Sequence, residues 1–144
     1  MVWCQTEQEI DSLKQLLKGS TGIEESVRLN EELFVAYLYV SLDSANHYRK
    51  NIKVISDKNN YTNGQYLYNS LSGRYHFAKS NLDSAFVHIE SASKIAEQLE
   101  NKSYLADCYK KIGVIYNIKR NDSLSKKYAL LALDNAKQTD DWRT

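Results

Sequence analysis

A chain of 144 residues can bury a core as one domain or a short stack of repeats, and 42% hydrophobic with 26% charged residues excludes an extended disordered tail as its main feature. A net charge of +1 excludes a global pull toward nucleic acid or an anionic membrane, and two cysteines, Cys4 and Cys108, are too few for a disulfide framework and lack zinc-site spacing. No window approaches the roughly 18 consecutive apolar residues of a membrane span.

The charge is unevenly spread. Residues 1–48 carry 3 basic and 8 acidic side chains, and residues 102–144 carry 9 basic and 5 acidic ones. That polarity suits end-to-end stacking or a charged partner, although screened surface charge also serves solubility alone. Proline is absent, which permits long uninterrupted helices.

Taken in chain order, Met1 to Gln5 form an apolar scrap ending in Cys4, which reads either as the remnant of a trimmed export signal or as a frayed terminus. The compartment is left open between the cytoplasm and the extracytoplasmic side. Residues 7–18 place Ile10, Leu13, Leu16 and Leu17 on one face and end at Gly19, which predicts a capping helix. Beyond it the chain echoes itself. Leu42-Asp43-Ser44-Ala45 recurs as Leu82-Asp83-Ser84-Ala85, and the same offset of 40 takes Gly73 to Gly113, Asn81 to Asn121, Ala92 to Ala132 and Ala96 to Ala136. Three repeats follow, at 23–60, 61–100 and 101–138.

Each repeat reads as a helical hairpin. In the second, Tyr66, Leu67, Leu71, Tyr75 and Ala78 make one stripe; Asn81 and Asp83 supply capping side chains; and Ala85, Phe86, Ile89, Ala92, Ile95, Ala96 and Leu99 resume helical spacing. The third repeats this with Leu105, Tyr109, Ile112, Ile115 and Tyr116, then Leu124, Tyr128, Ala129, Ala132, Leu133 and Ala136. Residues 139–144 fall where a further hairpin begins, so a stack cut within a longer protein is expected.

These residues resemble a tetratricopeptide repeat array. Gly73 and Gly113 fall where that family places a small residue midway along the first helix. Ala45 and Ala85 match its small residue opening the second helix, and Ala92 and Ala132 match its later one. Tyr116 matches its first-helix aromatic. The period of 40 exceeds the family's usual ~34, and the closing proline is missing, so longer helices are expected. The resemblance implies an all-α, right-handed solenoid of stacked hairpins. Long-period arrays of this kind resemble the sensory or regulatory regions of bacterial signalling proteins, ahead of a histidine kinase or a helix-turn-helix output domain.

The residues supply no catalytic constellation, so no enzyme is expected. The five glycines are scattered and form no phosphate loop. Asp43 and His47 share a helical face without a third metal ligand, and a capping Asp beside a surface His is the simpler account. Lys110-Lys111, Lys119-Arg120 and Lys126-Lys127 have tyrosines nearby, yet without a groove-reading module a solvated helix face explains them better than nucleic-acid contact. No metal and no cofactor are expected.

The first helices line the concave face of such a solenoid, the usual recognition surface. Carrying those positions across gives Asn30, Phe34 and Tyr37, then Ser70, Arg74 and Phe77, then Lys110 and Asn117 as candidate protein- or peptide-binding residues. The family's clamp for a terminal carboxylate is not matched, because Phe34, Leu71 and Asp107 stand where it needs other groups. The expected partner is a protein or peptide, including an output domain of the same protein. The alternative is a structural spacer, or a homo-oligomer formed through an exposed repeat end.

Overall fold

The computed structural model describes residues 2–139, with side chains from Thr6 onward, and among these residues it is all-helical. The export-signal reading of Met1 to Gln5 and the further hairpin from 140 onward lie outside the described residues and side chains. Seven helices follow one another among the described residues: α1 Val2–Gly19, α2 Ile23–Tyr37, α3 Leu42–Lys58, α4 Thr62–Ala78, α5 Leu82–Gln98, α6 Lys102–Ile118 and α7 Asp122–Lys137. None is long and apolar enough to cross a membrane. Contacts divide the chain into two units, Met1–Leu71 and Ser72–Thr144, with the boundary inside α4.

From α3 onward each helix begins 20 residues after the last, at Leu42, Thr62, Leu82, Lys102 and Asp122. The 40-residue echo in the sequence is therefore two mechanically equal steps of one helix and one short link. The link chemistry explains the equality. Asn60, Ser80, Glu100 and Arg120 occupy the left-handed region, with φ of 49°, 58°, 52° and 59°. Each donates its N–H to the carbonyl three residues back, and the next residue returns its own N–H to the carbonyl five back: Tyr61 to Ser56, Asn81 to His76, Asn101 to Ala96 and Asn121 to Tyr116, at 2.8–3.0 Å. This pair of bonds is the Schellman closure of a helix C-terminus. Three of those returning residues act twice. The side chains of Asn81, Asn101 and Asn121 accept hydrogen bonds from the backbone N–H groups of Ser84, Tyr104 and Leu124, capping the helix about to start.

The link from α2 to α3 departs from this pattern. Val40 and Ser41 both donate to the Tyr37 carbonyl, no residue there turns left-handed, and Ser41 Oγ accepts from Ser44 N–H as the cap. The first helix of the first repeat accordingly stops at Tyr37, with Leu38 buried in the turn. The capping helix is longer than its predicted 7–18 span, starting at Val2.

Within Met1–Leu71, α2 packs against both α1 and α3. Val27, Leu29, Leu33 and Phe34 of α2 fill the core with Ile10, Ala45 and Ile52. Asn30 is buried among them and is satisfied on both sides: its Nδ2 donates to the Ser26 carbonyl at 2.7 Å and its Oδ1 accepts from Asn51 Nδ2 of α3 at 3.1 Å. Arg49 is buried with its guanidinium over the Tyr68 ring and bonded to Asn46 Oδ1. Gly64 has no room for a side chain, since a Cβ there meets the buried Ser56 hydroxyl and the Tyr61 ring.

From Ser72 onward, α5 packs against α6, and α6 against α7. Ala85, Ile89, Ala92 and Ala96 of α5 and Leu105, Cys108, Ile112 and Ile115 of α6 are buried. A run of rings crosses the three helices: Phe86 meets Tyr116 at 5.9 Å, Tyr116 stacks on Tyr128 at 5.6 Å, and Tyr128 meets Tyr109 at 5.9 Å. Burial, and after it Glu97, pushes the Tyr109 phenol above its ordinary pKa. These tyrosines are packing groups, in line with their place on the helical stripes. The two repeat-matched glycines differ. A Cβ on Gly73 would stand 2.5 Å from Cγ1 of Ile89, a side chain with nowhere to go, whereas a Cβ on Gly113 would make only ordinary contacts from 3.4 Å outward.

Two tests follow from this geometry. Gly73→Ala lowers unfolding free energy by about 1–2 kcal/mol, because overpacking at Ile89 exceeds the gain in helix propensity, while Gly113→Ala is neutral or stabilising by up to ~1 kcal/mol. Urea denaturation of both variants measures this, and equal losses would contradict it. Glu100→Gly relieves a left-handed residue that bears a Cβ and raises stability by about 0.5–1 kcal/mol, whereas Asn101→Ala, one position on, removes a cap and lowers it by about 1 kcal/mol. The same denaturation series reads opposite signs for these neighbours.

Candidate binding surfaces

The eight residues predicted to line a recognition face do not share one environment. In the first unit, Phe34 is fully buried and Asn30 is 1% exposed, so both belong to the core and neither is available to a partner. The reason lies with α1. It packs on α2 together with α3, and the exposed strip left on α2 runs through Arg28, Glu32 and Val35. Ser70 on α4 is buried as well. Tyr37 is half-buried, stacked on Tyr48 at 5.7 Å and 10°, with Lys14 Nζ 5.5 Å from its ring centre. The bond to Tyr37 holds the Lys14 ammonium above its ordinary pKa. Close by, Lys14, Lys18, His47 and Asn51 are among the residues lining a pocket of about 590 Å³ between α1 and α3.

In the second unit the predicted residues fare better. Arg74 is half-buried, Phe77 is 41% exposed, and Lys110 and Asn117 are exposed. Lys110 and Asn117 stand on one wall of a groove of about 490 Å³ between α6 and α7, with Val114 between them. Ala132, Leu133 and Ala136 of α7 form the facing wall, and Gly113 is part of the lining. The lining is mostly apolar, yet Val114 and Leu133 remain 44% and 49% exposed. Ser125 Oγ donates to the Gly113 carbonyl at 3.0 Å and ties the base of α7 to α6.

Charge around this groove is sorted. Asp107 is engaged by Lys111 at 2.6 Å, and Lys119 reaches Asp83, whose carboxyl it holds below the usual range. Lys110 meets no carboxylate within ion-pair distance among the described residues. The groove thus offers apolar walls, one amide and one unneutralised cation at its rim.

The α7 wall was not anticipated as a binding surface from the sequence, because Ala132 and Ala136 read as internal hairpin packing by analogy with Ala92 and Ala96. The analogy holds for position but not for burial. Ala92 and Ala96 are fully buried, whereas Ala132 and Ala136 are half-exposed.

The histidines and the described cysteine are engaged in packing. His47 lies edge-on to Tyr48, His76 stacks on His88 at 5.2 Å, and Cys108 is 1% exposed. Among the described residues no three of His, Cys, Asp and Glu come together as metal ligands. Comparison with protein-family models, with curated proteins and with solved structures gives no match for this chain.

Proposed function

We propose that the chain is a protein- or peptide-binding repeat module of the tetratricopeptide type, serving as the sensory or regulatory segment of a larger bacterial signalling or transcription-regulating protein. One observation carries the binding reading: an open apolar groove between α6 and α7, with Leu133 and Val114 left accessible beside the unpaired Lys110. Uncovered apolar surface of this form marks interaction sites more than solvent-facing helices. The close approach at Gly73 and the buried Ala85 and Ala92 support the tetratricopeptide resemblance. Affinity comes from a few anchors set into the groove, and Lys110 and Asn117 fix orientation at the rim. An output domain of the same protein is one candidate partner, and the regulatory role rests on the resemblance alone.

Self-association is the competing reading, and the opposed charge of the two chain ends favours it. A peptide-display selection on the intact chain, counter-screened on Leu133→Glu and Val114→Glu, separates the two. Both variants change exposed positions, so circular dichroism should show unaltered helicity. Peptides that bind the parent chain and lose about tenfold or more on both variants are expected. A concentration-dependent mass in sedimentation that Leu133→Glu abolishes, with no groove-dependent peptide recovered, would instead establish assembly.

A further inference from the structure

We infer that the cleft between α1 and α3 is a second binding site, independent of the α6–α7 groove, for a small molecule that carries one oxyanion, a carboxylate or phosphate ester, on an apolar body. Lys14 and Lys18 are its cationic contacts. The cleft of about 590 Å³ is bounded by a described helix on each side, and both helices pack on α2. Its size falls within the roughly 300–1,000 Å³ of small-molecule pockets.

Charge placement is the first observation. Residues 1–48 carry only 3 basic side chains against 8 acidic ones. Arg28 is one of the three and is neutralised by Glu32 at 2.8 Å. The other two, Lys14 and Lys18, both line the cleft, and neither has a carboxylate within ion-pair distance among the described residues. They stand one turn apart on α1, where like charges disfavour the helix. At the same spacing Arg28 meets Glu32, Lys53 meets Asp57 and Lys111 meets Asp107, each a pair of opposite sign. Lys18 also suits the negative end of the α1 dipole, but that effect fades within the last turn and does not account for Lys14. An anion between the two lysines supplies the counter-charge that this acid-rich segment withholds from them.

Preorganisation is the second observation. Lys14 is half-buried, hydrogen-bonded to Tyr37 and 5.5 Å from its ring centre, and Tyr37 is stacked on Tyr48. An ammonium has three donors, so the Tyr37 bond fixes Lys14 and leaves donors for a ligand. Holding the side chain in advance removes much of the entropy loss that weakens exposed ion pairs. Tyr48 also lines the cleft, and burial pushes its phenol above the ordinary pKa, so it remains a donor. The rest of the lining sets the form of the ligand. Leu17, the Tyr48 ring and the aliphatic stems of the two lysines provide apolar surface. Asp11, the one carboxylate of the lining, stands a turn before Lys14 and repels a second negative group there. A single anionic head, held at the lysines, satisfies both.

The test is a heteronuclear NMR titration of the intact chain at matched ionic strength, using benzoate, phenyl phosphate, neutral benzamide and inorganic phosphate. Benzoate or phenyl phosphate should saturate, with shifts centred on residues 11–18 and 47–51, and the tighter of the two identifies the head group. Benzamide and inorganic phosphate should bind about tenfold or more weakly, since each lacks one half of the recognised chemistry. Lys18→Gln, at an exposed position, should weaken the better probe about fivefold, whereas Asp11→Asn should tighten it about threefold, a gain that damage to the fold does not produce. Arg28→Gln and Glu24→Gln make the same changes of net charge outside the lining and should leave binding within about twofold. Absence of saturable shifts, shifts scattered over the surface, benzamide or inorganic phosphate binding as well as the organic anions, or control variants as effective as Lys18→Gln each overturns the inference. None of these outcomes bears on the α6–α7 groove, whose peptides are selected separately.

Discussion

A single backbone event recurs at each boundary from α3 to α7: one residue turns left-handed, and the next sends its N–H back to the helix that has ended. Asn60, Ser80, Glu100 and Arg120 take the turn, at a cost of about 1–2 kcal/mol for each residue bearing a Cβ. Closure of the orphan carbonyls offsets that cost, and at Asn81, Asn101 and Asn121 the following side chain also caps the next helix. Because one residue ends one helix and starts another, the link tolerates neither insertion nor deletion without losing a cap or a closure. The even spacing of the helices follows from this constraint, and the packing faces at Gly73, Ile89 and Ala92 depend on that spacing.

Much of this architecture was legible in the sequence, because apolar periodicity and the recurrence of Leu-Asp-Ser-Ala depend on faces that must be buried wherever the hairpin appears. The positions of Asn81 and Asn121 as caps were equally readable. The left-handed residues were not, since Ser80, Glu100 and Arg120 carry none of the glycine signal that usually marks such a turn. The step of 20 residues was hidden for a different reason. Adjacent helices bury different faces, so only every second helix looks alike in side chains, although every link from α3 onward is alike in backbone.

The candidate site was legible in part, and the errors have a physical pattern. Lys110 and Asn117 are assigned to the concave recognition face from repeat register; both are exposed, and both line the α6 side of the groove. Phe34 and Asn30 were placed by the same register, yet they are core because α1 and α3 both pack on α2. Register identifies equivalent positions along a repeat array, but burial depends on which neighbour is present at each. The same rule in reverse conceals the α7 wall: Ala132 and Ala136 resemble buried residues because their equivalents on α5 lie against a helix.

The equality of the links also governs how such a chain can change in length. Excising one helix with its link would rejoin two helices through sound backbone geometry while presenting the wrong face to each neighbour. Excising two would restore both, since Leu42 and Leu82 open α3 and α5 with the same residues in the same register. A change in length that keeps both the backbone closure and the packing face therefore comes in steps of two helices, about 40 residues at a time.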